Sequence, residues 1–157
     1  MPWTTPNVFD PFDVLTADNL NDIQDNLTYV YGLGRRRVLI VQCLPFNETL
    51  TTGDGKQYWT VPAEFNNYVI VDADSAVYTV SSSGTPTFQI HNLTDTVDVL
   101  STLQTIDANE FSSYTAATPP VINTANDDLA TGDRIRFDCD VAGTGTKGWE
   151  QHVVIQV

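Results

Sequence analysis

The sequence predicts a mainly β protein: an antiparallel, jelly-roll-like β-sandwich preceded by an extended N-terminal arm and one short α-helix. Three observations carry this. From Arg37 onward the apolar residues recur with period two rather than 3.6. Turn signals such as Gly53-Asp54-Gly55 and Thr131-Gly132-Asp133 break that stretch into about eight to ten short runs. The composition is 41% hydrophobic and only 17% charged, with abundant Thr, Asn, Ser and Asp, which suits strands joined by many turns. The 157 residues suffice for one core-bearing domain plus an appendage, and we divide them into 1–36 (arm and helix) and 37–157 (sandwich).

The arm is Met1 to Val14. Pro2, Pro6 and Pro11 forbid a regular helix or a central strand there. Trp3, Val8, Phe9 and Phe12 are too apolar to remain in water, so the arm is expected to dock, either on its own domain or on another subunit or partner. Thr16 to Gly34 then reads as one helix. Thr16 is the N-cap, Leu15 and Leu20 have the spacing of a hydrophobic staple, and Asp18 sits at the positive end of the dipole. Gly32 and Gly34 stop the helix, and Arg35 to Arg37 complement its negative end. Leu20, Ile23, Leu27 and Val30 follow at spacings of three, four and three, the a/d seam of a coiled coil, opposite a wholly polar face. Such a seam packs either on the following domain or on copies of itself. Two heptads are marginal alone and need the neighbouring domain to help.

The strands follow. Val38 to Leu44 is a continuous apolar run, expected to be buried on both faces or to lie at a subunit contact. Phe46 to Lys56 reads as a polar loop. Tyr58–Val61, Tyr68–Val71 and Ala76–Val80 read as strands, the last two separated by a break at Asp72 to Ser75. Thr87–Asn92, Val97–Leu100 and Leu103–Ile106 come next, and Val121 and Ile122 re-enter the sheet after Pro119-Pro120. Arg134 to Val141 alternates cleanly, with Ile135, Phe137, Cys139 and Val141 on one side and Arg134, Arg136, Asp138 and Asp140 on the other. Trp149 to Val157 is the last strand. Cys43 and Cys139 fall inside strands and are expected to be buried free thiols.

Net charge is −13, from 20 acids against seven bases, and the only basic cluster is Arg35 to Arg37. This argues against a nucleic-acid partner and against anionic membrane surfaces. No signal peptide and no apolar run of membrane-spanning length is seen, so synthesis in the cytoplasm is expected. His91 and His152 alternate outward on strands, without a Gly-x-Ser-x-Gly elbow, a phosphate loop or a zinc spacing, and the expectation is a protein that is not an enzyme and carries no cofactor. The close acid pairs Asp72/Asp74 and Asp138/Asp140 are candidate ligands for a structural cation, against the simpler reading of solvated charge ladders. Trp59, Tyr68, Tyr78, Tyr114 and Trp149 are candidates for a ring platform that stacks on sugars, with Trp59, Tyr114 and Trp149 foremost, against the reading of Trp59 and Trp149 as core.

The opening segment, through Trp3, Pro6, Phe9, Val14, Leu15, Thr16, Ala17, Leu20, Asn21, Asn26 and Leu27, resembles the N-terminal segment of tailed-bacteriophage virion proteins. Gly53-Asp54-Gly55, Thr60-Val61-Pro62, Gly132-Asp133-Arg134-Ile135-Arg136 and Gly145-Thr146-Lys147-Gly148 are similar to motifs of the small β-sandwich modules that follow that segment in fibre, minor tail and head-decoration proteins. The resemblance implies a homotrimeric structural protein on the virion surface, anchored to capsid or tail proteins through its N-terminal segment. The absence of a shaft or repeats favours a decoration protein or a short head fibre or spike. The alternative is a tail-associated receptor- or glycan-binding module that recognises the host surface.

Overall fold

A computed structural model describes the backbone of residues 17–34 and 36–157, with helix side chains from 20 to 28. The arm residues Trp3, Val8, Phe9 and Phe12, the cap Thr16, Arg35 and the side chain of Val30 lie outside the described residues. The chain divides between Arg36 and Arg37 into two units.

The first unit holds α1 (Ala17–Gly34). Within it Leu20, Ile23 and Leu27 are 52%, 40% and 65% exposed, whereas Asn26 on the polar side is buried. Thr28 turns its hydroxyl back onto the Gln24 carbonyl at 2.8 Å, which satisfies a β-branched polar residue inside the helix.

The second unit is built from β1 (Arg37–Thr49), β2 (Gly53–Thr60), β3 (Tyr68–Ala76), β4 (Thr87–Asn92), β5 (Val97–Asp98), β6 (Leu100–Thr102), β7 (Gln104–Thr105), β8 (Val121–Ile122), β9 (Asp128–Leu129), β10 (Arg134–Val141) and β11 (Lys147–Gln156). One sheet has the order β1-β11-β3-β9, the other β2-β10-β4-β5 with β7 also on β4, and β6-β8 form a small annex. Every described pairing is antiparallel. The strands β1 to β4 alternate between the two large sheets, as do β9 to β11, which is the jelly-roll arrangement.

The core lies between the two large sheets. Ile70, Ala73, Val153 and Ile155 line the inside of the first, and Phe88, Ile90, Ile135 and Phe137 that of the second. Trp149 on β11 stacks on Phe88 on β4, with ring centroids 4.4 Å apart and planes at 23°, so one aromatic pair joins the sheets. Cys43 and Cys139 are free and buried, one in each sheet.

Four sequence expectations need correction. β1 does not stop at Leu44 but runs to Thr49, and β2 begins at Gly53, so most of the supposed loop is edge strand; its polar residues are exposed while the backbone still pairs, Thr49 with Lys147. There is no break at Asp72 to Ser75: β3 is continuous, with Ala73 and Ser75 inside and Asp72 and Asp74 on the outer side, and it ends at Ala76, so the strand expected over Ala76–Val80 does not form. The run Val38 to Leu44 is not buried on both faces, because Val38 and Ile40 are 64% and 67% exposed on the outside of an edge strand. Lastly, the Asp138 carboxylate is not a solvated charge but a buried one.

The quoted motifs fall at turns and strand ends, where backbone geometry is demanding. Gly148 shows why: its φ is +63°, and a Cβ there would meet Tyr78 Cδ2 at 2.6 Å and the Phe46 Cα at 2.8 Å.

Candidate functional site

Alternation along β11 turns Gln151, Val153 and Ile155 inward and Glu150 and His152 outward. Register then sets His152 between Ile40 of β1 and Asp74 of β3. Past β3, Ala76 bridges Ser112, and the chain enters a 3-10 turn, Ser113–Thr115. Ser113 fixes that turn to the strand: its Oγ accepts the Ser75 N–H at 2.9 Å and donates to Asp74 Oδ1 at 2.8 Å. Tyr114 is thereby laid across the outer face.

The Tyr114 ring stacks on His152, 6.1 Å between centroids at 29°, and its Oη lies 2.7 Å from His152 Nδ1. His152 Nε2 lies 3.1 Å from Glu150 Oε1, and Glu150 Oε2 accepts the Tyr78 hydroxyl at 2.9 Å. One protonation pattern satisfies the row with a neutral imidazole: Nε2–H donates to Glu150 and Nδ1 accepts from Tyr114.

A hydroxyl, an imidazole and a carboxylate in sequence are the parts of a nucleophile, base and orienter. The electrostatics oppose that use. Burial, followed by the carboxylates of Asp74, Glu150 and Asp72, pushes the Tyr114 phenol up, away from the tyrosinate a nucleophile needs. Tyr114 as a residue is 65% exposed, so the site as a whole is open to water. The arrangement is better suited to presentation: a ring held at a fixed angle, one face open, beside three carboxylates that accept hydrogen bonds.

The proposed platform of Trp59, Tyr114 and Trp149 does not form. Trp149 is wholly buried, because it shares strand parity with Val153 and Ile155. Trp59 is half-buried and packs on Phe65, 6.1 Å away. Of the three, Tyr114 alone is presented, joined through the outward-facing His152 to Glu150 and, beyond it, to Tyr78. Glu150 and His152 share a face by their spacing, but their meeting with Tyr114 depends on cross-strand register.

The outer face of the second sheet is closed on itself. Arg136 donates to Asp138 Oδ2 from Nε (3.0 Å) and Nη2 (2.8 Å), and also reaches Asp54 at 3.1 Å. The other Asp138 oxygen accepts the Gly55 N–H at 2.7 Å. Arg134 lies over the Tyr58 ring at 5.7 Å, and His91 Nδ1 is 2.7 Å from Asp98.

Both oxygens of Asp138 are thus engaged, which removes it as a cation ligand beside Asp140. Asp72 and Asp74 each already accept a hydrogen bond, from Ala73 N–H and Ser113 Oγ. Among the described residues no group of three or more His, Cys, Asp or Glu side chains is placed to hold a metal ion. A cavity of about 150 Å³ lined by Asp95, Val97, Ala125, Asn126 and Asp128 is below the size of ordinary ligand pockets. No protein family, curated protein or solved structure matches the chain.

Proposed function

We propose that the chain is a structural protein of a bacteriophage virion: a surface-displayed homotrimeric decoration protein or short fibre or spike, anchored through its N-terminal segment and without enzymatic activity. The observation that carries this reading is the a/d seam of α1, whose Leu20, Ile23 and Leu27 stand exposed on a helix that belongs to a separate unit from the β domain. An apolar heptad face left in water is suited to copies of itself. The resemblance of the opening segment to phage virion proteins supplies the virion context. A jelly roll is common in capsid proteins, which is a likeness of fold alone.

Sedimentation equilibrium on the full chain and on residues 37–157 tests the reading. A trimer that becomes a monomer on truncation supports assembly through the helix and arm. Monomers in both cases sink it.

A second reading, a module that binds host glycan, is favoured by the open ring face of Tyr114 and its flanking carboxylates. Host polysaccharide retained by the wild-type protein and released by Tyr114→Ala would support it. Equal retention by both forms would remove Tyr114 from that role.

A further inference from the structure

We infer that the first half of β1, through Val38 and Ile40, is a second self-association surface that packs against another copy of this chain and continues the contact begun by the helix seam. The inference rests on the reading of the protein as self-assembling and names where the β domain takes part.

Three observations point to a second copy as the occupant. The first is covalent. Val38 follows Gly34 by four residues, which reach at most about 14 Å when extended. Packed helices lie about 8–10 Å apart. Copies joined along the seam must therefore hold their β1 starts close to the same axis.

The second is the strand itself. β1 ends its sheet and pairs only with β11 among the described residues. Val38 and Ile40, 64% and 67% exposed, face the same way, with half-buried Val154 as the cross-strand neighbour of Val38. Midway along β1 the Gln42 carbonyl accepts a hydrogen bond from Gln57 Nε2 of β2 at 3.4 Å, so the bare edge is that of residues 37–41. The stretch from 38 to 41, Val-Leu-Ile-Val, has no charge, proline or bulge to discourage pairing, which an edge strand meant for solvent normally has.

The third is charge. The chain carries −13 overall, which opposes most approaches of one copy to another. Residues 30–42 contain three of its seven basic residues and no acid, so the strand itself adds nothing to that repulsion, the acids of the same outer face being Asp72 and Asp74 on β3 and Glu150 on β11.

The test is sedimentation equilibrium on three forms of the full chain: wild type, Val38→Lys/Ile40→Lys and Leu20→Asp/Leu27→Asp. All the substituted positions are exposed, and near-ultraviolet circular dichroism of buried Trp149 verifies that the β domain is intact. Should the lysine pair disturb it, Ile40→Thr, which keeps the β-branch and removes apolar surface, takes its place.

The expected result is a dissociation constant at least about tenfold weaker for the folded strand variant. That outcome supports the inference whatever the helix variant does. A strand variant that assembles like wild type while the helix variant falls apart overturns the inference and leaves assembly through the helix standing. Wild-type behaviour in both variants, or a wild type that is itself monomeric, overturns both.

Discussion

Ser75 is the position where a small change should cost most. It is fully buried in β3, and its hydroxyl lies at the centre of a polar knot in an otherwise apolar core. Trp149 Nε1 donates to Ser75 Oγ at 3.0 Å, Gln151 Oε1 lies 3.0 Å away, and the Gln104 amide lies closer still. The Gln104 Nε2 has no other acceptor; turned toward Ser75, it would donate to a hydroxyl that accepts two bonds and gives its one proton to Gln151. Ser75→Ala leaves the indole N–H without a partner, since an indole has only that one donor. An orphaned buried donor costs about 1–3 kcal/mol, and the amides lose a further ~1 kcal/mol of net hydrogen bonding.

The expected loss is therefore about 2–4 kcal/mol, or roughly 8–15 °C in Tm for a domain of this size. Urea unfolding followed by tryptophan fluorescence reads it, and a double-mutant cycle with Trp149→Phe isolates the bond. The phenyl ring has no donor to strand, so the two substitutions together should cost about 1–2 kcal/mol less than their sum. A Ser75→Ala cost under about 0.5 kcal/mol, or strict additivity in the cycle, would refute the assignment of Ser75 as the acceptor that satisfies Trp149.

Other positions separate causes in the same way. Gly148→Ala combines a positive φ with a clash against Phe46 backbone, whereas Gly132→Ala meets a φ of +90° with nothing within 4 Å; thermal melts should show a loss above about 2 kcal/mol for the first and about 1 kcal/mol for the second. Asp138→Ala strands the Gly55 N–H and removes the fork on Arg136, an expected cost of about 2 kcal/mol, while Asp54→Ala breaks only an exposed pair and should stay under about 0.5 kcal/mol in the same urea titration. Burial pushes the Cys139 thiol up to about 12 from an ordinary 9.0 and raises Cys43 as well, so the folded state retains protons that the unfolded chain releases. Their contribution to stability is full below about pH 9 and is lost as pH rises toward 12, and a Tm profile that falls less steeply in Cys43→Ala/Cys139→Ala than in wild type would show it. At pH 8 a thiol reagent should label neither cysteine until denaturant is added.

Much of the β domain was legible because its strands announce themselves by period. β4 and β10 have the bounds the alternation predicts, since Phe88 and Ile90 or Ile135 and Phe137 are apolar on the inward side. β3 was misread for a reason that lies in its own chemistry: its inward residues there are Ala73 and Ser75, small and partly polar, between two aspartates, so the stretch has the composition of a turn. The polar knot explains the rest. Ser75, Gln104 and Gln151 are buried because they satisfy one another, and hydropathy is blind to such mutual satisfaction. The site was harder again. Tyr114 and His152 are 38 residues apart, and only the register of β3 on β11 and the bridge at Ser112 bring them together. Trp149 was decidable, because its parity with Val153 and Ile155 places it in the core, whereas ring chemistry alone fits a core and a platform equally well.

The two outer faces of the sandwich differ in a way that bears on both proposals. On the second sheet, Arg136 is taken up by Asp138 and Asp54, His91 by Asp98, and Arg134 by the Tyr58 ring, so recognition there would have to break existing pairs. On the first, Tyr114 keeps an open ring face, and Val38 and Ile40 stand in water. Ile40, His152 and Asp74 occupy one cross-strand row, and adjacent strands lie about 4.7–4.9 Å apart, so the row spans only about 10 Å. A copy seated on Ile40 would therefore border the Tyr114 ring of its neighbour. Self-association at β1 would then cluster these rings about one axis, and a repeating ligand would meet several at once, a gain in avidity that needs no deeper pocket than the face provides.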